Sequence, residues 1–196
     1  MRLVPVTPPA LEPVALEEMK AHLRVDVADD DDLIQSKISA ARQYAEHYTR
    51  RALITQTWEM VLDKAPAEIE LPLPPLQAVT KIEVVDAAGA KTEVPAASYW
   101  IELGGDAPGR VRLADGASWP LHRGFASFII TVRAGYGDAA AAVPEKIREA
   151  IRKRAALLYE GREDARILGA NHPLTNEVQE ADALLFPYKV FRRAVS

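Results

Sequence analysis

Between Phe125 and Glu160 the spacing of apolar residues changes from every second residue to every third or fourth, and that change limits what the chain can fold into. Phe125 to Ala134 alternates as a strand. Gly135-Tyr136-Gly137 breaks it, Asp138 to Val143 is a spacer of mainly small residues, and Pro144 opens a helix running to about Glu160. From Leu53 to this point the pattern is that of strands; on either side it is helical. The segment therefore reads as the return point of a β excursion from a helical core. On this reading the helix after Pro144 belongs beside Leu33–Thr49, distant in sequence.

The helical pattern is explicit at the N-terminal side. Pro5, Pro8, Pro9 and Pro13 keep the first dozen residues extended. Val14 to Leu23 reads as a short helix with Leu16, Met19 and Leu23 on one face. Asp30 to Asp32 directly precede Leu33, where acidic residues suit an N-cap and first turn. Ile34, Ile38, Ala41, Ala45 and Tyr48 then form one stripe. Beyond the third helix, Gly161 to Pro173 reads as a mobile polar loop, and Asn176 to Leu185 as a fourth helix stopped by Pro187. The intervening strands are short and separated by turns: around Trp58–Leu62, Ile69–Leu73, Val79–Val85, Lys91–Val94, Tyr99–Leu103, Arg110–Leu113 and Phe125–Arg133. The predicted fold class is α+β, an antiparallel helical bundle core with an inserted antiparallel β-sandwich or small barrel. Residues 1–52 and 138–187 form the helical core, 53–137 the inserted domain, and 188–196 a C-terminal tail.

A chain of 196 residues buries roughly 70% of its unfolded surface and holds a core without staples. With no cysteine there is no disulfide framework, thiolate metal site or cysteine nucleophile. No apolar run approaches signal-peptide or membrane-span length. His22, His47, His122 and His172 lie in separate elements without metal-ligand spacing. The aspartates from Asp29 to Asp32 lack the alternation, glycine and distal glutamate of a calcium loop. Gly135-Tyr136-Gly137 lacks the third glycine or Gly-Lys-Ser/Thr ending of a phosphate loop, and no Gly-x-Ser-x-Gly elbow occurs. The sequence selects no catalytic residue, cofactor site or metal site.

Charge is uneven around a net −4. Asp29, Asp30, Asp31 and Asp32 form an acidic knot; Arg148, Arg152, Lys153 and Arg154 make the third helix basic. Such asymmetry suits head-to-tail assembly, and equally suits solvated helix faces. The tail is the other notable surface: Phe186, Tyr188, Val190 and Phe191 alternate with Lys189, Arg192 and Arg193. It reads as a strand able to add to a partner's sheet edge, or as a segment folded back on its own helices. Trp58, Trp100 and Trp119 open a rival reading as a carbohydrate- or receptor-binding β module, against a core role for Trp58 at least.

An ordered set of short passages spans nearly the whole chain. It begins with Pro13-Val14-Ala15-Leu16-Glu17-Glu18-Met19-Lys20-Ala21-His22-Leu23-Arg24-Val25, then the aspartates with Leu33-Ile34, then Ala45-Glu46-His47-Tyr48-Thr49-Arg50-Arg51 through Trp58. It continues with Leu73-Pro74-Pro75-Leu76-Gln77-Ala78-Val79, Ala134 to Asp138, Val143-Pro144 through Ile147-Arg148, and Leu185-Phe186-Pro187-Tyr188-Lys189-Val190. In these the chain resembles the head–tail connector (adaptor) proteins of long-tailed phages, prophages and phage-derived gene transfer agents. Two departures stand out. Ala15 occupies the place of a capping Ser or Thr, and Arg50 that of a glycine at the helix–strand junction.

The resemblance implies a non-enzymatic virion-neck protein assembled in the bacterial cytoplasm, in a ring of about twelve subunits beneath a portal. It implies that Phe186, Tyr188, Lys189, Val190, Phe191, Arg192 and Arg193 dock on the portal. A tail-side connector or stopper protein binds the other side, and DNA passes through without specific contacts. Within the ring, the acidic knot of one subunit is expected to meet the basic helix of the next.

Overall fold

A computed structural model describes residues 1–161 and 173–191. The predicted loop at 162–172, with His172, and Arg192 and Arg193 of the tail lie outside them. The chain divides into two compact units: Met1–Ala10 with Thr55–Tyr136, and Leu11–Ile54 with the described residues from Gly137 onward.

The first unit holds eight strands in two antiparallel sheets: β1 (Arg2–Thr7), β2 (Gln56–Leu62), β3 (Glu68–Leu71), β4 (Leu76–Val85), β5 (Lys91–Glu93), β6 (Tyr99–Glu102), β7 (Gly109–Leu113) and β8 (Phe128–Ala134). The larger sheet has the order β1-β2-β8-β4-β5. Strand β8 is its middle strand because almost every residue of Phe128–Ala134 is apolar and buried, as a strand paired on both sides requires. Register places Leu62, Phe128 and Val84 in one row and Met60, Ile130 and Ile82 in the next, and Phe128, Met60, Ile130 and Ile82 are fully buried. The opposite face carries a smaller cluster of Val61, Val85 and Ile129, with Val4 against it. The smaller sheet, β3-β7-β6, buries Ile69, Leu71 and Val111 and turns Glu68, Glu70, Arg110 and Arg112 outward.

The N-terminal residues correct the predicted boundary. Residues 1–10 belong with the sheets and not with the helices, because β1 pairs antiparallel with β2. Pro5 is compatible with this since β1 is an edge strand, where a missing donor leaves no ladder bond broken.

The second unit holds α1 (Leu16–Leu23), α2 (Asp31–Thr49), α3 (Glu145–Glu160) and α4 (Pro173–Leu185). Helix α2 packs on α3, α3 on α4, and α1 on α2 and α3. The apolar stripes supply the core: Met19 from α1, Ile34, Ile38, Ala41 and Ala45 from α2, Ile147, Ala150, Ile151 and Ala155 from α3, Ala181 and Leu185 from α4. Pro144 is the N-cap of α3, one residue outside the position predicted for it. Ala15 caps α1 without a side-chain hydrogen bond. Arg50 ends α2 in the left-handed region at φ 58°, the conformation a glycine adopts freely. Gly135, at φ 132°, donates its N–H to Pro75 O and accepts from Gln77 Nε2, so these residues make a turn rather than a ligand cradle.

Candidate assembly and docking surfaces

The basic helix owes its charge pattern to its own neighbours. Arg148 donates to both carboxylate oxygens of Glu18, at 2.9 and 2.8 Å, to Glu145 at 2.8 Å, and to Pro13 O. Arg152, one turn on, bonds Glu18, Glu145 and Glu149, with only 12% of its side chain exposed. Burial alone lowers the Arg152 pKa, but the hydrogen bonds to Glu145 and Glu149 outweigh it and hold the group above the usual arginine range. The hydrogen bond from Arg152 in turn lowers the Glu145 carboxyl below its usual value. Lys153 pairs with Glu180 of α4 at 2.9 Å. The guanidinium of Arg154 lies over the Tyr44 ring, 3.2 Å from its centroid, and 3.8 Å from Asp182. The four cations expected to reach a neighbouring subunit therefore each have an acidic partner within this one. The reason is helical geometry: Glu145 and Glu149 lie one turn before Arg148 and Arg152 on α3, and the packing of α1 brings up Glu18.

The acidic knot divides in the same way. Asp30 accepts a hydrogen bond from Tyr159 of α3, and Asp31 pairs with Lys20 at 2.7 Å. Asp29 and Asp32 are exposed.

The tail is latched to α2. After α4 the chain makes one 3-10 turn, Phe186–Tyr188. Arg51 Nε donates to Tyr188 O at 2.6 Å, and Val190 N–H donates to Thr49 O at 2.9 Å. These bonds use carbonyl groups that a helix end leaves open and a turn cannot satisfy internally. Lys189 reaches over the Tyr48 ring at 4.8 Å. Tyr48 stacks at 6.0 Å on Tyr44, whose hydroxyl donates to Asp182. Burial, followed by that hydrogen bond, raises the Tyr44 pKa. Of the two readings of the tail, the backbone up to Val190 follows the second: it turns and folds back onto its own unit. Its two phenyl rings do not. Phe186 and Phe191 are 56% and 65% exposed and meet edge-on at 6.1 Å, a preformed apolar pair at the end of the described chain.

Tyr44, Glu18, Glu145, Glu149 and Asp182 were not picked out from the sequence. The i,i+4 pair Tyr44/Tyr48 and the Glu-x-x-Arg spacings 145/148 and 149/152 were the available signals. Glu18 and Asp182 gave none, since only tertiary packing brings them near. Another missed tie is Arg42, buried on α2, which bonds Glu12 and Glu46 at 2.7 Å each while Glu46 accepts from Leu53 N. Of the tryptophans, Trp119 donates to Pro66 O and packs edge-on against Phe128 at 4.8 Å, a structural role. Among the described residues no group of three or more His, Asp or Glu is placed to hold a metal ion, and no helix is long and apolar enough to cross a membrane.

Residues 13–94 match the family model of the phage gp6-like head-tail connector proteins. The resemblance to head–tail connectors is borne out. Solved structures extend the likeness over the whole length. A chain in the structure described as the neck of an empty GTA particle computed with C6 symmetry shares 27% identity at a TM-score of 0.80, over 100% of this chain and 99% of that one. A chain of the virion of a native gene transfer agent particle shares 27% identity at a TM-score of 0.81, over 100% and 99%. A chain of the native GTA neck computed with C12 symmetry shares 26% identity at 0.78, again over 100% and 99%. A search of curated proteins finds no match. The departures at Ala15 and Arg50 keep their physical meaning: one helix starts uncapped, and one ends on a strained residue.

Proposed function

We propose that the chain is a structural, non-enzymatic head–tail connector of a phage or phage-like particle, assembled into a ring of about twelve subunits in the virion neck. The observation that carries this is the full-length match to neck proteins of gene transfer agent particles. The ring closes around a DNA channel, with a portal on one side and a further connector or stopper on the other. In this reading the β unit is a sandwich, with residues 55–136 inserted in the sequence of the helical unit, which forms a bundle. The C-terminal segment is the portal-docking element, with the exposed Phe186/Phe191 pair, Tyr188 and Val190 as its apolar part and Lys189, Arg192 and Arg193 as its charge. Arg148, Arg152, Lys153 and Arg154 act inside the subunit, and the exposed Asp29 and Asp32 remain for contact with another.

The test is mass and shape in solution, alone and with portal rings, by sedimentation and electron microscopy. Rings in either condition support the reading; a chain that assembles in neither overturns it. Deleting residues 187–196 is expected to abolish portal binding. Full binding by the truncated chain sinks the docking assignment while leaving the ring reading intact.

A further inference from the structure

The backbone of the C-terminal segment limits how it can dock. Adding a strand to a partner's sheet requires free N–H and C=O groups along one edge of the added segment. Between Phe186 and Val190 those groups are already spent. Pro187 has no N–H. Lys189 N–H donates to Phe186 O, Val190 N–H to Thr49 O, and Tyr188 O accepts from Arg51 Nε. Arg51 is itself only 7% exposed, so the donor that holds the segment is fixed by the packing around it. Tyr188 and Val190 are half-buried, and Lys189 lies over the Tyr48 ring. What projects is side chain: the edge-on pair of Phe186 and Phe191, with Pro187 exposed beside it.

We propose that the segment docks as this folded hook, without opening into a strand. Phe186 and Phe191 enter an apolar pocket of the portal rimmed by carboxylates, and Arg51 is the positioning residue that holds the hook in place. This rests on the portal-docking reading above. The carboxylate rim follows from charge: from Ala183 to Ser196 the sequence holds Lys189, Arg192 and Arg193 and no acid, and such a patch selects an acidic counterpart. The rings suit the role because aromatic side chains concentrate at the buried centre of interfaces, and a hook already ordered loses little conformational freedom on binding.

With no native cysteine, a single engineered disulfide can lock the hook. In Thr49→Cys/Val190→Cys, the 2.9 Å backbone bond holds the two residues within disulfide reach. The oxidised variant is expected to bind portal rings within about twofold of its reduced form, as a partner that does not change shape should. Arg51→Met is expected to weaken binding at least about fivefold, and to bind like its locked parent when combined with the oxidised disulfide, which replaces the tie that Arg51 supplies. Phe186→Ala/Phe191→Ala, at exposed positions, is expected to weaken binding at least about tenfold with an unchanged melting temperature. Added salt is expected to weaken binding of the wild-type chain. Binding lost on oxidation and regained on reduction, or unaltered in the phenylalanine variant, overturns the hook. An Arg51→Met defect that persists in the locked variant overturns the positioning role, and salt-independent binding overturns the carboxylate rim. Full binding by the chain lacking residues 187–196 instead fails the portal-docking reading itself.

Discussion

Replacing Arg152 by methionine separates two accounts of the basic helix. If its charges served the contact between subunits, the change would weaken assembly, mainly at low salt, and spare the fold. The structure predicts the reverse. Arg152 is 12% exposed and bonded to Glu18, Glu145 and Glu149, whose side chains are 32%, 64% and 36% exposed. Hydrogen bonds to charged groups contribute about 1.5–3 kcal/mol each, but three around one guanidinium do not add. The freed carboxylates partly rehydrate, and Arg148 still holds Glu18 and Glu145. Against this, methionine takes the guanidinium away from Glu149, which lies one turn from Glu145. The net loss is about 2–3 kcal/mol, between the values for exposed and buried pairs. With a urea dependence of roughly 2 kcal/mol per molar, the unfolding midpoint falls by about 1–1.5 M. The assay is helical circular dichroism of the unassembled chain against urea, repeated at about 1 M salt, where pairs this enclosed are screened little. A midpoint within about 0.3 M of wild type, combined with lost assembly, would refute the intramolecular network and restore the contact between subunits.

The remaining predictions concern helix ends, the sheet core and pH. Arg50→Gly relieves an exposed left-handed residue and is expected to raise stability by about 0.5–1 kcal/mol in thermal unfolding; a loss would show that the Arg50 side chain has an unseen role. Ala15→Ser supplies the missing cap of α1 and is expected to add about 1 kcal/mol, read in the same assay. Phe128→Ala empties the fully buried position under Trp119 and is expected to cost about 3–5 kcal/mol. Glu145 has its folded pKa lowered by Arg152, so its contribution is complete above the ordinary carboxylate range and disappears as the pH falls through the lowered value. Stability should therefore drop on acidification, and by less in Glu145→Gln than in wild type, which a pH series of melting curves checks.

The helices and most of the strands were legible because each rests on local periodicity. The stripe Ile34, Ile38, Ala41, Ala45 and the continuous apolar run of β8 say on their own which face is buried. Strand β1 was missed because its prolines suppress the strand signal, and its place is set by pairing with β2, about fifty residues away. The tail was legible in composition but not in conformation. Alternating large residues suit a strand, yet open carbonyl groups at the end of α2 and the donor Arg51 turn the segment back, and neither is local to it. The charge pattern on α3 was visible, but its partners were not: Glu18 and Asp182 sit far away in the chain, and a Coulomb interaction depends on distance in space.

By itself, then, the sequence determined the α–β–α order that follows β1, the buried faces, the two helix-end departures at Ala15 and Arg50, and the resemblance to head–tail connectors. Only the tertiary structure decided which charges are satisfied within the subunit and which apolar side chains remain in water. Periodicity is a property of neighbours along the chain, whereas pairing and exposure are properties of whatever folding brings alongside. That is why Arg152 proves internal and why Leu121, Phe125, Phe186 and Phe191 are left exposed.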